Sequence, residues 1–143
     1  ILKIIGDGDQ KSNLKNLIKQ FKLESKILLI GYQKNPSKYF KEADLYINCS
    51  FFEGFPNSVV EAISYNLPVI CSRSHGGVTE MFSNGKGGYF FEAGNYLSLA
   101  NLMNNFLNSQ NNFQKKTNYK LNKITKFSTV NCVNEYQKIF KSL

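Results

Sequence analysis

Two glutamates stand eight positions apart in the stretch FFEGFPNSVVEAI, residues 51 to 63. Glu53 sits beside Gly54 in a segment of loop character. Glu61 sits among Val59, Val60, Ala62 and Ile63, within SVVEAISYN, which reads as a helix. A helix start leaves backbone N–H groups without intrahelical acceptors. Those around Pro56, Asn57 and Ser58, backed by the positive end of the helix dipole, suit an anion, and phosphate is a natural guest. A carboxylate one turn further in can accept hydrogen bonds from two vicinal hydroxyls of a ribose. Together these features would hold a sugar nucleotide: diphosphate at the helix start, ribose at Glu61, sugar near Glu53. Singly, each glutamate has a plainer reading. Glu61 would be a surface helix position whose apolar neighbours lie on other faces, and Glu53 an exposed loop residue. Their combination with the EGFPN loop favours the sharper one.

The elements that must position this pair alternate. LKIIG reads as a strand and DGDQ as a turn. KSNLKNLIKQFKL has helical spacing at Leu14, Leu17, Ile18 and Phe21. KILLIGY is a short apolar strand, NPSKYFKEA a short helix with Pro36 near its start, and DLYINCS a strand before the FFEGFPN loop. Asn66 can end the next helix in the left-handed conformation, and PVICS follows as a strand. RSHGGVTEMFSNGKGG predicts a Gly-rich loop and short helix, and GGYFFEA an extended segment. NYLSLANLMNNFLNS predicts a helix whose apolar face carries Leu97, Ala100, Leu102, Met103 and Phe106. QNNFQKKTNYKLNKIT predicts a less regular helix, and STVNCVNEYQKIFKSL a terminal helix capped by Ser128. Strands separated by helices of this length imply an α/β fold, a Rossmann-like parallel sheet with helices on both faces. Ligands in such sheets bind beyond the carboxyl ends of the strands, here residues 6–10, 31–35, 50–57 and 72–78.

Composition narrows the function. The chain has 143 residues, 42% of them hydrophobic, which suits one globular domain. No apolar run approaches the ~20 residues of a membrane span, and no signal-peptide pattern is present. The first residue is not Met and ILKIIG reads as a strand at once, as expected of a fragment lacking its upstream part. Cys49, Cys71 and Cys132 have neither zinc-site nor disulfide-framework spacing. Cys49 and Cys71 fall in strands expected to be buried, which fits a reducing compartment. The formal charge of +8 is carried almost wholly by lysine, with Arg73 the only arginine. Nucleic-acid readers favour arginine for bidentate contacts, so nucleic acid is not expected as a partner, while a membrane-surface preference stays open.

The residues around the glutamate pair resemble a known family. The chain looks like the C-terminal domain of a retaining glycosyltransferase of the GT-B class, group 1, also numbered family 4. The signature, Glu, seven residues, Glu, falls on Glu53 to Glu61. FFEGFPNSVVEAISYNLPVICSRSHGGVTEMF follows the family pattern almost throughout. LKIIGDGDQKSNLKNLIKQFKLESKILLIGY matches upstream, SNGKGGYFFEAGNYLSLANLM downstream, and KFSTVNCVNEYQKIF at the closing helix. The resemblance implies residues 1–143 as a nucleotide-sugar (donor) binding domain, the C-terminal half of a GT-B fold. The acceptor-binding N-terminal domain and an upstream Arg/Lys pair for the diphosphate would precede residue 1, so the fragment alone would be inactive.

The same resemblance implies transfer of a sugar from a nucleotide-diphosphate donor with retention, in cell-envelope glycan, polysaccharide or glycolipid synthesis. It gives Glu53 the contact to the donor sugar and Glu61 the ribose hydroxyls. Gly54, Phe55, Pro56 and Asn57 take the loop at sugar and phosphates, with Ser58 and Val59 adding amide contacts. Pro56 has no N–H and can only shape that loop. Tyr32 and Gln33 fall where the family meets the base. The acceptor would be a glycan or lipid-linked sugar, the location cytoplasmic or peripheral at the cytoplasmic membrane face, and no cofactor or metal is expected. A sugar-nucleotide epimerase of GT-B architecture and a non-catalytic nucleotide-sugar binding module are the alternatives.

Other residues invite weaker readings. Asp7 and Asp9 have the spacing of a metal-binding DxD, and Gly6 and Gly8 that of part of a dinucleotide fingerprint whose third glycine would fall at Lys11. A tight strand-to-helix turn accounts for both. His75, the one histidine, reads as a solvated loop residue at the ligand edge. Arg73 is balanced between pairing with phosphate and pairing with Glu80. Phe51, Phe52 and Phe55 are expected to pack, with Phe55 alternatively facing the donor.

Overall fold

The computed structural model describes residues 1–73, 82, 88–109, 113 and 128–142. The chain divides into two compact units, Ile1–Tyr39 and Phe40–Leu143.

In the first unit, β1 (Leu2–Ile5) pairs in parallel with β2 (Ile27–Gly31), and α1 (Lys11–Gln20) connects them. Leu14 and Ile18 of α1 are half-buried, whereas Leu17 and Phe21 are exposed. The helix stops earlier than its apolar spacing predicts. Lys22 adopts φ 53°, and the Leu23 amide reaches back to the Ile18 carbonyl at 2.9 Å, closing the helix in a left-handed turn. Gly6 (φ 134°) and Gly31 (φ 78°) occupy conformations that glycine alone adopts without strain. The Gly6 amide donates to the Gly31 carbonyl at 3.0 Å, so both strands end level at the same edge. With only two strands in this sheet, β2 stays half-buried rather than closed on both faces.

The second unit carries a three-stranded parallel sheet ordered β3 (Tyr46–Asn48), β4 (Val69–Arg73), β5 (Tyr89–Glu92). α2 (Ser37–Glu42) precedes β3, and α3 (Asn57–Ser64) joins β3 to β4. Alternation along β4 sends Val69 and Cys71 to one face and Ile70 to the other. The first face meets Val59, Ala62 and Ile63 of α3, with Phe40 and Phe82; the second meets α4 (Tyr96–Asn108) and Phe113. Helices on both faces of a parallel sheet, the architecture expected from sequence, are therefore present in this unit. Val69 through Ser72 are all buried, as a strand enclosed on both sides must be. Asn66 takes φ 60°, the left-handed turn expected after α3.

Three details depart from the sequence reading. The packed face of α4 is formed by Leu99, Leu102, Met103 and Phe106, while Leu97 and Ala100 are exposed. The reason is rotational: residues 99, 102, 103 and 106 share one helical stripe. Cys49 is exposed because β3 ends at Asn48; Cys71 is buried, and none of the three cysteines forms a disulfide. Phe51, Phe52 and Phe55 are exposed rather than packed in the core, since they lie on the loop outside the sheet edge. Most of RSHGGVTEMFSNGKGG and QNNFQKKTNYKLNKIT lies outside the described residues.

The last helix, α5 (Thr129–Lys141), begins as predicted: Ser128 Oγ accepts from the Asn131 amide at 3.3 Å. Val130, Val133, Tyr136, Ile139 and Phe140 fall on one side of it, and each is exposed. No described helix is long and apolar enough to cross a membrane.

Ile63 is fully buried between α3 and the sheet. Ile63→Ala is expected to lower unfolding stability by about 2–5 kcal/mol, read as a shift in the denaturant midpoint.

Candidate functional site

The segment between β3 and α3 is tied down by hydrogen bonds at its start and runs into a buried proline at its end. At its start, the Ser50 amide donates to Asn48 Oδ1 at 3.3 Å, and the Ser50 carbonyl accepts from Ser72 Oγ at 2.5 Å. Asn48 and Ser72 are the buried polar side chains of the described core, and these bonds satisfy them there. Tyr46, in the strand before this segment, lies near enough to Ser58, Asn48 and Glu53 for each to influence its phenol. The ring of Tyr46 lies 5.7 Å from that of Phe40, and Phe40 stacks on Tyr65 at 5.6 Å. Tyr46 thus roots its ring in the apolar cluster.

Pro56 is fully buried and precedes the first helical residue. Its carbonyl accepts from the Val59 amide at 3.0 Å and the Val60 amide at 3.1 Å, and the Asn57 amide donates to the Phe55 carbonyl at 3.0 Å. Among the described residues the Ser58 amide has no backbone acceptor. Of the amides at this helix start, Ser58's is the open donor, because Asn57 and Val59 are already engaged. Ser58 is half-buried, and Val59 sends its side chain into the core.

Glu53 is half-buried in the loop and Glu61 is exposed on the outer face of α3. No hydrogen bond or ion pair engages either carboxylate among the described residues. Because Val59, Ala62 and Ile63 define the inward stripe, Glu61 must face away from the sheet. Glu53 lies close enough to Tyr46 to act on it electrostatically. Gly54, Phe55 and Asn57 are exposed along the loop between the two glutamates.

The remaining candidates scatter. Tyr32 is exposed and Gln33 half-buried just after Gly31, in the first unit. Arg73 pairs with Glu92, Nε to Oε1 at 3.3 Å, and its guanidinium lies 5.2 Å from the centre of the Phe90 ring. Glu80 and His75 lie outside the described residues. Asp7 is consumed by its turn: Oδ2 pairs with Lys11 Nζ at 2.6 Å and Oδ1 accepts from the Gly8 amide at 3.0 Å. The Lys11 hydrogen bond, then that of Gly8, holds the Asp7 carboxyl below its ordinary pKa. A cavity of about 300 Å³ opens at this turn, lined by Gly6, Asp7 and Lys11 among others. The described residues contain no cluster of three or more His, Cys, Asp or Glu that could hold a metal.

Tyr46, Asn48 and Ser72 were not singled out from sequence. The available signal was the alternation of Tyr46 and Asn48 on one face of a strand whose other positions are apolar.

A parallel sheet with helices on both faces makes this unit Rossmann-like, with Glu53 in the loop after β3 and Glu61 on α3. The family comparison agrees: residues 1–124 match the glycosyl transferases group 1 family, to which the chain belongs. It is 36% identical over 98 residues to an N-acetylgalactosaminyltransferase of Campylobacter jejuni that acts on a diphospho-undecaprenol-linked sugar, covering 68% of this chain and 27% of that protein. It is 30% identical over 135 residues to the poly(glycerol-phosphate) alpha-glucosyltransferase of Bacillus subtilis, covering 94% of this chain and 20% of that protein. The fold superposes on Anabaena HepE, solved in complex with UDP, with a TM-score of 0.86 at 22% identity, covering 99% of this chain and 40% of HepE. The chain spans only about a quarter or less of the length of these two curated relatives.

Burial, the largest influence, pushes the Tyr46 phenol above its ordinary value, while Ser58 pulls the other way. A folded pKa raised above the unfolded one gives stability that is fully present below the unfolded value of 10.0 and lost as pH rises through the folded value. Unfolding at increasing alkaline pH should therefore show a loss of stability that is smaller in Tyr46→Phe than in the native chain.

Proposed function

We propose that this chain is the donor-binding domain of a retaining glycosyltransferase that moves a sugar from a nucleotide diphosphate to an acceptor in cell-envelope glycan, polysaccharide or glycolipid synthesis. The observation that carries the reading is the arrangement around α3. Two carboxylates without protein partners among the described residues flank a helix start whose Ser58 amide is open. Glu61 would take the ribose hydroxyls, the Ser58 amide and the Gly54–Asn57 loop the phosphates, and Glu53 the donor sugar. Fixed amides aimed at the leaving diphosphate would stabilise the charge that develops there as the glycosidic bond breaks. Retention means that the acceptor oxygen joins the anomeric carbon on the face the diphosphate leaves. Tyr32 and Gln33 would meet the base, and Arg73, once turned from Glu92, the phosphates.

Two kinds of finding support the donor class. HepE was solved with UDP and with UDP-glucose, and relatives sharing 30–36% identity transfer sugars to poly(glycerol-phosphate) or a lipid diphosphate sugar. The acceptor would bind a further domain of the same polypeptide. The uncovered apolar side of α5 is the sort of surface such a domain covers, and relatives are several times longer than this chain. A formal charge of +8 suits a cytoplasmic protein held at an anionic membrane face. We propose no metal in the reaction, the diphosphate charge being met by amides and basic side chains.

Calorimetry of the natural-length protein against UDP, GDP and ADP is expected to find one that binds. Glu61→Ala should weaken that binding by about 1–3 kcal/mol through loss of charged hydrogen bonds; unchanged affinity would remove Glu61 from the ribose site. Glu53→Gln should lower kcat/KM about 10- to 100-fold, the worth of a hydrogen bond to a charged group, and EDTA should leave the native rate unchanged.

A further inference from the structure

We propose that Glu92 is an internal counter-anion for Arg73, displaced by a ligand phosphate, and that it thereby sets how tightly the site takes its diphosphate. The inference rests on the donor reading above and deepens it by naming a residue that competes with the ligand. Arg73 is the last residue of β4 and Glu92 the last of β5, and the parallel register sets them side by side. Both therefore stand at the carboxyl edge of the sheet, where such folds take their ligands. Alternation puts Arg73 on the face of Val69 and Cys71, the one that α3 covers. Its neighbour Ser72 donates to the Ser50 carbonyl at 2.5 Å, which ties this end of β4 to the start of the loop carrying Glu53.

The contact between the two charges is one that a better anion can replace. Arg73 Nε stands 3.3 Å from Glu92 Oε1, whereas charge-assisted hydrogen bonds of this kind run to about 2.7–2.9 Å. The side chains of Arg73 and Glu92 are 51% and 73% exposed, and pairs so open to water and salt are weak. A diphosphate carries more charge than one carboxylate and presents oxygens to two guanidinium donors at once. Arg73 does not depend on Glu92 for its place. Its guanidinium lies 5.2 Å from the centre of the Phe90 ring, and Phe90 packs on the core, edge-on to Phe82 at 5.4 Å. The exchange thus moves Glu92 away while Phe90 keeps the cation at the edge. A resident carboxylate also discriminates: an anion weaker than Glu92 fails to take Arg73 from it, and a diphosphate succeeds.

The discriminating variant is Glu92→Gln, which keeps the shape of the side chain and removes its charge. In the natural-length protein, calorimetry measures binding of the best nucleoside diphosphate of the UDP, GDP and ADP panel and of the matching nucleoside, which lacks phosphate. Thermal unfolding is followed alongside. Glu92→Gln is expected to raise diphosphate affinity about two- to fivefold, the worth of an exposed ion pair, with nucleoside affinity unchanged. Arg73→Gln should lower diphosphate affinity about tenfold, and adding Glu92→Gln to it should restore nothing, since the competitor then has no cation to compete for. Unchanged or lower diphosphate affinity in Glu92→Gln would overturn the assignment. So would an equal gain for the nucleoside, or a gain that persists beside Arg73→Gln, which would mark a general effect of charge. Should Glu92→Gln fail to fold, Glu92→Ala is read by the same comparisons. If the native protein bound none of the three diphosphates, the donor reading would fall and the role of Glu92 with it. Native binding left unaltered by Glu92→Gln would instead sink the role of Glu92 alone.

Discussion

The inward stripe of α3 fixes most of what surrounds it. Val59, Ala62 and Ile63 are completely buried against β4, and burying side chains of this size contributes roughly 1.5–3 kcal/mol for each of the larger two. Once those positions face the sheet, a helix of 3.6 residues per turn has no choice about the rest. Glu61 must point outward, and the first turn must open at the carboxyl edge of β3. The carboxylate that looks out of place among apolar residues stands there because its neighbours, not itself, were selected for the core.

Around that constraint the unit divides its polar groups by task. The buried side chains of Asn48 and Ser72 hold the backbone of Ser50, Asn48 accepting from its amide and Ser72 donating to its carbonyl. Buried polar groups are costly if left unsatisfied, and these bonds anchor the start of the loop, whose Phe51, Phe52, Gly54, Phe55 and Asn57 are exposed. The carboxylates of Glu53 and Glu61 take no part in these bonds. A site whose supports are internal and whose contact groups are unengaged can receive a polar ligand without first breaking its own bonds. The contrast with Asp7 is instructive: its carboxylate is already held by Lys11 and by its own turn, so it serves the strand-to-helix connection.

Much of this was legible in the amino-acid sequence because periodicity and turn chemistry are local. The alternating strands and helices, the Ser128 cap and the left-handed Asn66 all follow from neighbours a few residues away. The Glu53–Glu61 pair was visible for the same reason. What escaped depended on tertiary placement. Leu97 and Leu99 fit an amphipathic pattern about equally well, and only the position of α4 over Ile70 and Phe91 selects Leu99. Cys49 and the three phenylalanines of the loop look like core by composition, yet β3 is too short to carry them inside. Arg73 was weighed against Glu80 along the chain, whereas the parallel register of β4 and β5 sets it opposite Glu92.

A crystal structure of the natural-length protein with its nucleoside diphosphate bound tests the central claim most directly. The account predicts a phosphate oxygen about 3 Å from the Ser58 amide nitrogen and both ribose hydroxyls on the Glu61 carboxylate. A nucleotide whose phosphates instead occupy the cavity at Gly6, Asp7 and Lys11, with the start of α3 untouched, would contradict it.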